Sequence, residues 1–429
     1  MKRLIVMLLA TVMLFGLTAC SQPVKVTGTN LVAAPVYPKG IDFGDSDKQR
    51  ELRENNPVNK DTVNAVNQFS YDTAAQLLKG SDTNGCYSPL SLYYALALAA
   101  AGAEDSTRDE LLTLLGFEDA DSLSKQCGNL YRLLYTDNKV SRLKIANSLW
   151  LADETDGQQI SFKDSYIKNA TEHFYTSIFT ADFADENTGK AMGRWISENT
   201  NGTLAPEFKT NTEQIMSILN TVYFYDQWTD RFNAEKTKED TFYLQSGPEV
   251  VCDFMNMNYW SHGFSKGNGY TRSSLGLKTS GSMIFILPDE GVAVADLLSS
   301  PQKLEKIFTQ GEDKNGKVVW SVPKFKYGSS FDLVDTLKAL GITSAFSLDS
   351  ADFSALTNAP AFISGVKQET HISIDENGVE ASAFTKIDYM GAAQPKDKAE
   401  MILNRPFIYG ITAANGALLF VGICMNPAS

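Results

Sequence analysis

Three features of this chain predict an α+β fold with large sheets. Helical periodicity is concentrated in the first third, and apolar, β-branched and aromatic runs fill the remainder. The chain then closes on a hairpin pattern, two apolar runs around Asn415-Gly416.

The elements follow in order. Residues 61–79 carry apolar residues at helical spacing behind Asp61 as N-cap. The Ala/Leu-rich stretch SPLSLYYALALAAAGA (88–103) predicts a helix buried on most sides. A third helix is expected over 105–117, capped by Ser106 or Thr107 with acidic residues in its first turn. LKIANSLWLA, MSILNTVYFYDQW and GSMIFILPDEG have the composition of central strands. In GEDKNGKVVWSVPKFKYG the Asn-Gly pair signals a turn leading into another strand.

Composition excludes several functions. With 38 basic against 51 acidic residues and a net charge of −13, the chain lacks the positive footprint that nucleic acid requires. The three histidines, His173, His262 and His371, form no H-x-x-x-H and stand apart from any cysteine pair, so no metal or other cofactor is expected. Cys86, Cys127, Cys252 and Cys424 are dispersed, which predicts buried free thiols rather than a disulfide framework.

The N-terminus carries an address. Lys2 and Arg3 precede the apolar run LIVMLLATVMLFG, and the segment closes on LTAC, Leu17 to Cys20. This resembles the lipobox of bacterial lipoproteins. It implies a signal peptide over 1–19 and diacylglycerol on Cys20, hence a protein held at the cell envelope outside the cytoplasm. Residues 20–56, rich in Pro, Gly, Lys and Asp, are expected to be a flexible tether to a single folded body over 57–429.

No catalytic constellation stands out. Ser122-Leu-Ser-Lys125, Ser197-Glu-Asn199 and Lys278-Thr-Ser280 are similar, in order, to the three motifs of serine penicillin-recognising enzymes. But S-x-x-K recurs at Ser165–Lys168, Ser300–Lys303 and Ser321–Lys324, and the third motif lacks its glycine. A surface serine hydrolase is therefore a remote alternative.

The segment DENGVEASAFTKIDYMGAAQP (375–395) is more informative. Val379, Ala381, Ala383, Thr385, Ile387 and Tyr389 alternate with mostly polar neighbours, the two-residue period of a half-buried strand, yet no hairpin partner lies nearby. A patterned strand without a local partner pairs with another molecule, or with its own sheet at another time.

Those residues resemble the hinge and reactive loop of a serpin. The hinge reads Glu376-Asn-Gly378-Val379-Glu380-Ala381-Ser382-Ala383, and the loop spans about 376–403. Ser88 and Ser91, Asn220, Trp228 and Gln368 match the family's shutter and breach positions, with Gln368 where a histidine is common. The resemblance covers 57–429. It implies one large domain with a dominant mixed sheet, two further sheets and eight to nine helices. It also implies a monomeric suicide inhibitor of serine or cysteine proteases, not an enzyme. The target forms a covalent acyl complex, and the cleaved loop inserts into the main sheet. Val379, Ala381, Ala383, Thr385, Ile387 and Tyr389 would face inward. Family spacing puts the scissile bond at Ala392–Ala393, with Met390–Gly391 and Tyr389–Met390 as alternatives; small residues there suit elastase- or subtilisin-like targets. A non-inhibitory serpin acting as a binding or chaperone-like module is the other alternative. Phe384 interrupts the small-residue run, and Tyr225-Asp226 stands where the family commonly has Lys-Gly.

Overall fold

The computed structural model describes residues 29–155, 157–379 and 397–429. Cys20, Glu380–Ala383, Thr385, Ile387, Tyr389–Gly391, Ala392 and Ala393 lie outside them.

The expected class holds: ten α-helices and three sheets form one α+β body among the described residues. The main sheet runs in the order Thr29–Ala33, Thr176–Ala181, Ser141–Ala152, Met216–Gln227, Gly378–Val379, Ile363–Ile374, Phe325–Asp332. A second sheet of nine strands is threaded by the long strand Glu249–Gly267, and a small ribbon pairs Glu154–Thr155 with Gln158–Gln159. The terminal hairpin forms as expected, Phe407–Thr412 against Leu418–Cys424, with Gly416 at φ +85° in its turn.

The helix Pro89–Ala100 organises the interior. Every one of its residues is buried, and it packs on Met216–Gln227 of the main sheet and on Leu418–Cys424 of the second. Pro89 at its first position and Ser88 as N-cap fix where it begins. Ser88 and Ser91 are thereby held directly beneath the main sheet.

Four expectations need correction. The first expected helix forms over Lys60–Leu78 and is capped by Asn59, whose side chain accepts from Thr62 N at 2.7 Å; Asp61 lies in the first turn. The helix Asp105–Leu115 begins before the expected caps, with Glu104 at the N-cap and no side-chain cap; Ser106 and Thr107 fall in its first turn, where the Thr107 hydroxyl accepts from Asp352 N at 3.0 Å. Asn315-Gly316 is not a turn but the middle of strand Glu312–Pro323. Gly316 is required there by a neighbour: a Cβ would lie 2.1 Å from the Asp397 carbonyl oxygen, where the chain enters strand Lys398–Ile402. Of the expected thiols, Cys86, Cys127 and Cys424 are buried and free, whereas Cys252 is half-buried.

The stretch expected as tether is folded from Thr29 onward. Thr29–Ala33 pairs antiparallel with Thr176–Ala181 and covers that edge of the main sheet. Tyr37 sits between the rings of Tyr135 and Tyr175, at 6.2 and 6.1 Å, with Lys144 Nζ 4.1 Å from its centre. The helix Ser46–Asn55 follows, capped by Asp45. Short β-branched and charged helix-forming runs were the available signal, masked by the prolines and glycines between them.

Gly316→Ala is expected to destabilise the protein by about 1–3 kcal/mol, the usual cost of overpacking. Urea unfolding measures this; an unchanged midpoint would show that Asp397 yields freely.

Candidate functional site

The main sheet contains a fork. Met216–Gln227 and Ile363–Ile374 run parallel and pair directly from Met216↔Ile363 to Thr221↔Glu369. Beyond that rung, contact between them resumes only through Gly378–Val379, which runs antiparallel to both. Val379 pairs with Asp226 on one side and with Ile374 on the other, and Gly378 pairs with Gln227.

A polar seam holds the closed end. Gln368, 1 % exposed, grips the Ser88 backbone at two points: Oε1 accepts from Ser88 N and Nε2 donates to Ser88 O, both at 2.9 Å. Directly opposite, Asn220 accepts from the Ser91 hydroxyl and donates to Asn147 Oδ1 at 2.6 Å. Asn147 donates in turn to Phe174 O at 2.9 Å, and the Ser88 hydroxyl to Leu419 O at 2.9 Å. Burying so many amides and hydroxyls is costly unless each is bonded. The Thr221 hydroxyl, on the last rung of the ladder, is buried without a partner.

The open end is anchored by a turn. The carbonyls of Asp375, Glu376 and Asn377 accept from Trp228 Nε1 (2.8 Å), Phe232 N (3.1 Å) and Trp228 N (3.0 Å). The Asp375 carboxylate accepts from Asn377 N and Gly378 N, closing the reversal that brings the chain back into the sheet. Gly378 is needed because a Cβ would stand 2.2 Å from the Asp226 carbonyl oxygen. Burial pushes the Glu376 carboxyl up, but hydrogen bonds from its own backbone and from Thr237, with the Lys324 charge 3.3 Å away, hold it below its ordinary value.

Ser88, Ser91, Asn220 and Gln368 thus meet at the closed end, and Trp228, Glu376, Gly378 and Val379 at the open end. The rest of the expected hinge and inserting strand lies outside the described residues. At the far side of the expected loop, Lys398–Ile402 is already a strand of the second sheet, parallel to Glu312–Pro323. The hydrolase motifs do separate structural work: Ser122 N donates to Asp119, Asn199 accepts from Lys144, and Thr279 and Ser280 serve Asp226.

In the sequence Asp226 stood out only as a departure from the family's common Lys-Gly, although an acid inside an apolar strand is itself a signal. It is fully buried, and its carboxylate accepts from Ser280 N (2.7 Å), Thr279 N (3.2 Å) and Gln227 N (2.9 Å). It clamps the 278–280 connection of the second sheet to the central strand, at the residue paired with Val379. Burial raises its pKa to about 6 against these hydrogen bonds. A raised folded pKa means the native state binds the proton more tightly than the unfolded chain. The ionised group therefore costs stability above about pH 6, and the cost disappears as pH falls toward the ordinary carboxylate value. Asp226→Asn should remove this term. Wild type is expected to gain stability relative to Asp226→Asn between pH 7 and pH 5, measured by urea unfolding at both; a pH-independent difference refutes the assignment.

Comparison with known proteins agrees with this geometry. Residues 64–427 match the family model described as serpin (serine protease inhibitor). Serpin B3 of Homo sapiens is 28% identical over 85% of this chain and 98% of its own length. Serpin-ZX of Arabidopsis thaliana is 25% identical over 86% of this chain and 99% of its own. Among solved structures, the native state of the thermophilic serpin tengpin superposes with a TM-score of 0.78 at 27% identity, covering 93% of this chain and all of that one. The chain belongs to the serpin family, whose members are generally inhibitors of proteases rather than enzymes.

Proposed function

We propose that this chain is a suicide inhibitor of extracellular serine proteases, acting by insertion of its cleaved loop into the fork. One observation carries the proposal. Val379 is seated between Asp226 and Ile374, and continuing that register residue by residue sets Thr385 beside Asn220 and Gln368. These are the two amides of the polar seam. The register ends with Tyr389 beside Met216, the first residue of the central strand. The patterned segment Val379–Tyr389 therefore has the length of the strand it would join, and its alternation stops where that strand begins.

The side-chain faces agree. Along Met216–Gln227 the core side is taken by Ile218, Asn220, Val222, Phe224 and Asp226, while Tyr223 and Tyr225 are half-buried. Val379, 2 % exposed, lies on that core side. Its odd-numbered successors Ala381, Ala383, Thr385, Ile387 and Tyr389 would follow it inward, keeping Glu380, Lys386 and Asp388 out.

The energetics favour insertion. The direct ladder between the two strands must open, but an inserted strand pairs on both flanks, so two ladders replace one. Both new pairings are antiparallel where the lost one was parallel, the slightly weaker type. Each added hydrogen bond is worth about 0.5–1.5 kcal/mol, and each buried Val, Ile or Tyr roughly 1.5–3 kcal/mol. The Thr385 hydroxyl arrives where the Asn220 and Gln368 amides part, so the seam re-forms around it.

In this mechanism the target's serine attacks the Ala392 carbonyl, the amine of Ala393 departs, and an ester joins Ala392 to the protease. Insertion then drags the acyl-enzyme along the sheet by roughly 35 Å, at about 3.3 Å per residue. Small residues around the bond favour elastase- or subtilisin-like pockets. The diacylglycerol on Cys20 holds the inhibitor at the cell envelope, facing outside the cytoplasm.

Incubation with elastase or subtilisin is expected to yield an SDS-stable complex. Cleavage without a complex would instead favour a non-inhibitory binding module. Thr385→Arg places a charge between Asn220 and Gln368; loop cleavage should continue while complex yield falls at least tenfold. An undiminished yield sinks the register. Cys20→Ser should release the protein from the membrane fraction.

A further inference from the structure

We infer that the cavity beneath the N-terminal arm is a binding site for an amphiphilic carboxylate, an acyl chain with an anionic head. The cavity holds about 320 Å³, within the usual range of ligand pockets. It exists because the arm packs incompletely: none of the residues of helix Ser46–Asn55 is buried, and Leu52 meets the body across open space with Ile41 and Phe43. Leu133, Leu134 and Leu143 supply the opposite apolar wall.

The third wall is Lys278-Thr279-Ser280. Lys278 makes no ion pair among the described residues. Its Nζ donates to the neutral Gln227 Oε1 at 3.1 Å, an oxygen already accepting from Arg231 at 2.5 Å. Asp226 is the carboxylate that attracts Lys278, yet its oxygens are committed to backbone N–H groups. On the arm side Arg53 also lines the cavity and makes no ion pair among the described residues. Lys278 and Arg53, neither in an ion pair among the described residues, and an apolar lining complement one ligand chemistry, a carboxylate with a hydrocarbon tail.

The wall that would receive the head group also reaches the fork. Thr279 and Ser280 hold Asp226 by their backbone N–H groups, and Lys278 shares Gln227, the residue paired with Gly378. Occupancy is therefore sensed one side chain away from the hinge.

The test uses the full chain carrying Cys20→Ser, so that no attached acyl group competes. Isothermal titration with decanoate should show saturable one-site binding, and decanol should bind at least tenfold more weakly. Lys278→Met should erase that preference for the acid. Ala414→Trp, an exposed position on the cavity rim, should abolish binding of both while leaving the thermal unfolding midpoint unchanged. Equal affinity for decanoate and decanol, an unaltered preference in Lys278→Met, or no saturable binding at millimolar decanoate would overturn the assignment.

Discussion

The structure depends on one pairing: Met216–Gln227 alongside Ile363–Ile374, closed at one end and parted at the other. Parallel neighbours cannot be joined by a tight turn, so nothing local holds these two strands together. What holds them is a buried seam of amides and hydroxyls, Gln368 on the Ser88 backbone and Asn220 on Ser91 and Asn147. Apolar packing there would be sealed by area alone. A hydrogen-bonded seam is different, because its net worth is small while its partners stay satisfied, and an arriving polar group can take up the bonds that opening breaks.

The open end is arranged by the opposite logic, with the backbone fixed rather than exchangeable. Three successive carbonyls, of Asp375, Glu376 and Asn377, are each held by a donor from the Trp228–Phe232 segment. Gly378 passes so close to Asp226 that no side chain fits. Gly378–Val379 therefore enters the fork in a defined register, with Val379 between Asp226 and Ile374. Asp226 ties this entry to the second sheet at the cost of burying a charge. The mouth of the fork is thus stiffened by contacts that burial itself makes sensitive to acid.

How much of this was legible in the sequence differs by element. The Asn415-Gly416 hairpin is a local pattern that the structure keeps, whereas the alternation Val379–Tyr389 lies, beyond Val379, outside the described residues. The meeting of Ser88, Ser91, Asn220 and Gln368 was reached through family resemblance, since no periodicity joins residues so distant in the chain. Asn315-Gly316 failed because two explanations compete for a glycine: a turn conformation, or close approach by another backbone, here Asp397. Only the second leaves no trace in neighbouring residues. The arm failed for a related reason, its strand being specified by an edge it covers rather than by its own mostly exposed side chains.

That arm also shapes the edge of the main sheet. Thr29–Ala33 occupies the free flank of Thr176–Ala181, so that strand is paired on both sides. The arm pairs with the sheet through backbone hydrogen bonds and a stack of tyrosines, while its helix leaves a cavity against the 278–280 connection. Under the proposed mechanism, an arm tight at the sheet edge and loose over the connection that holds Asp226 would cover that edge without locking the fork.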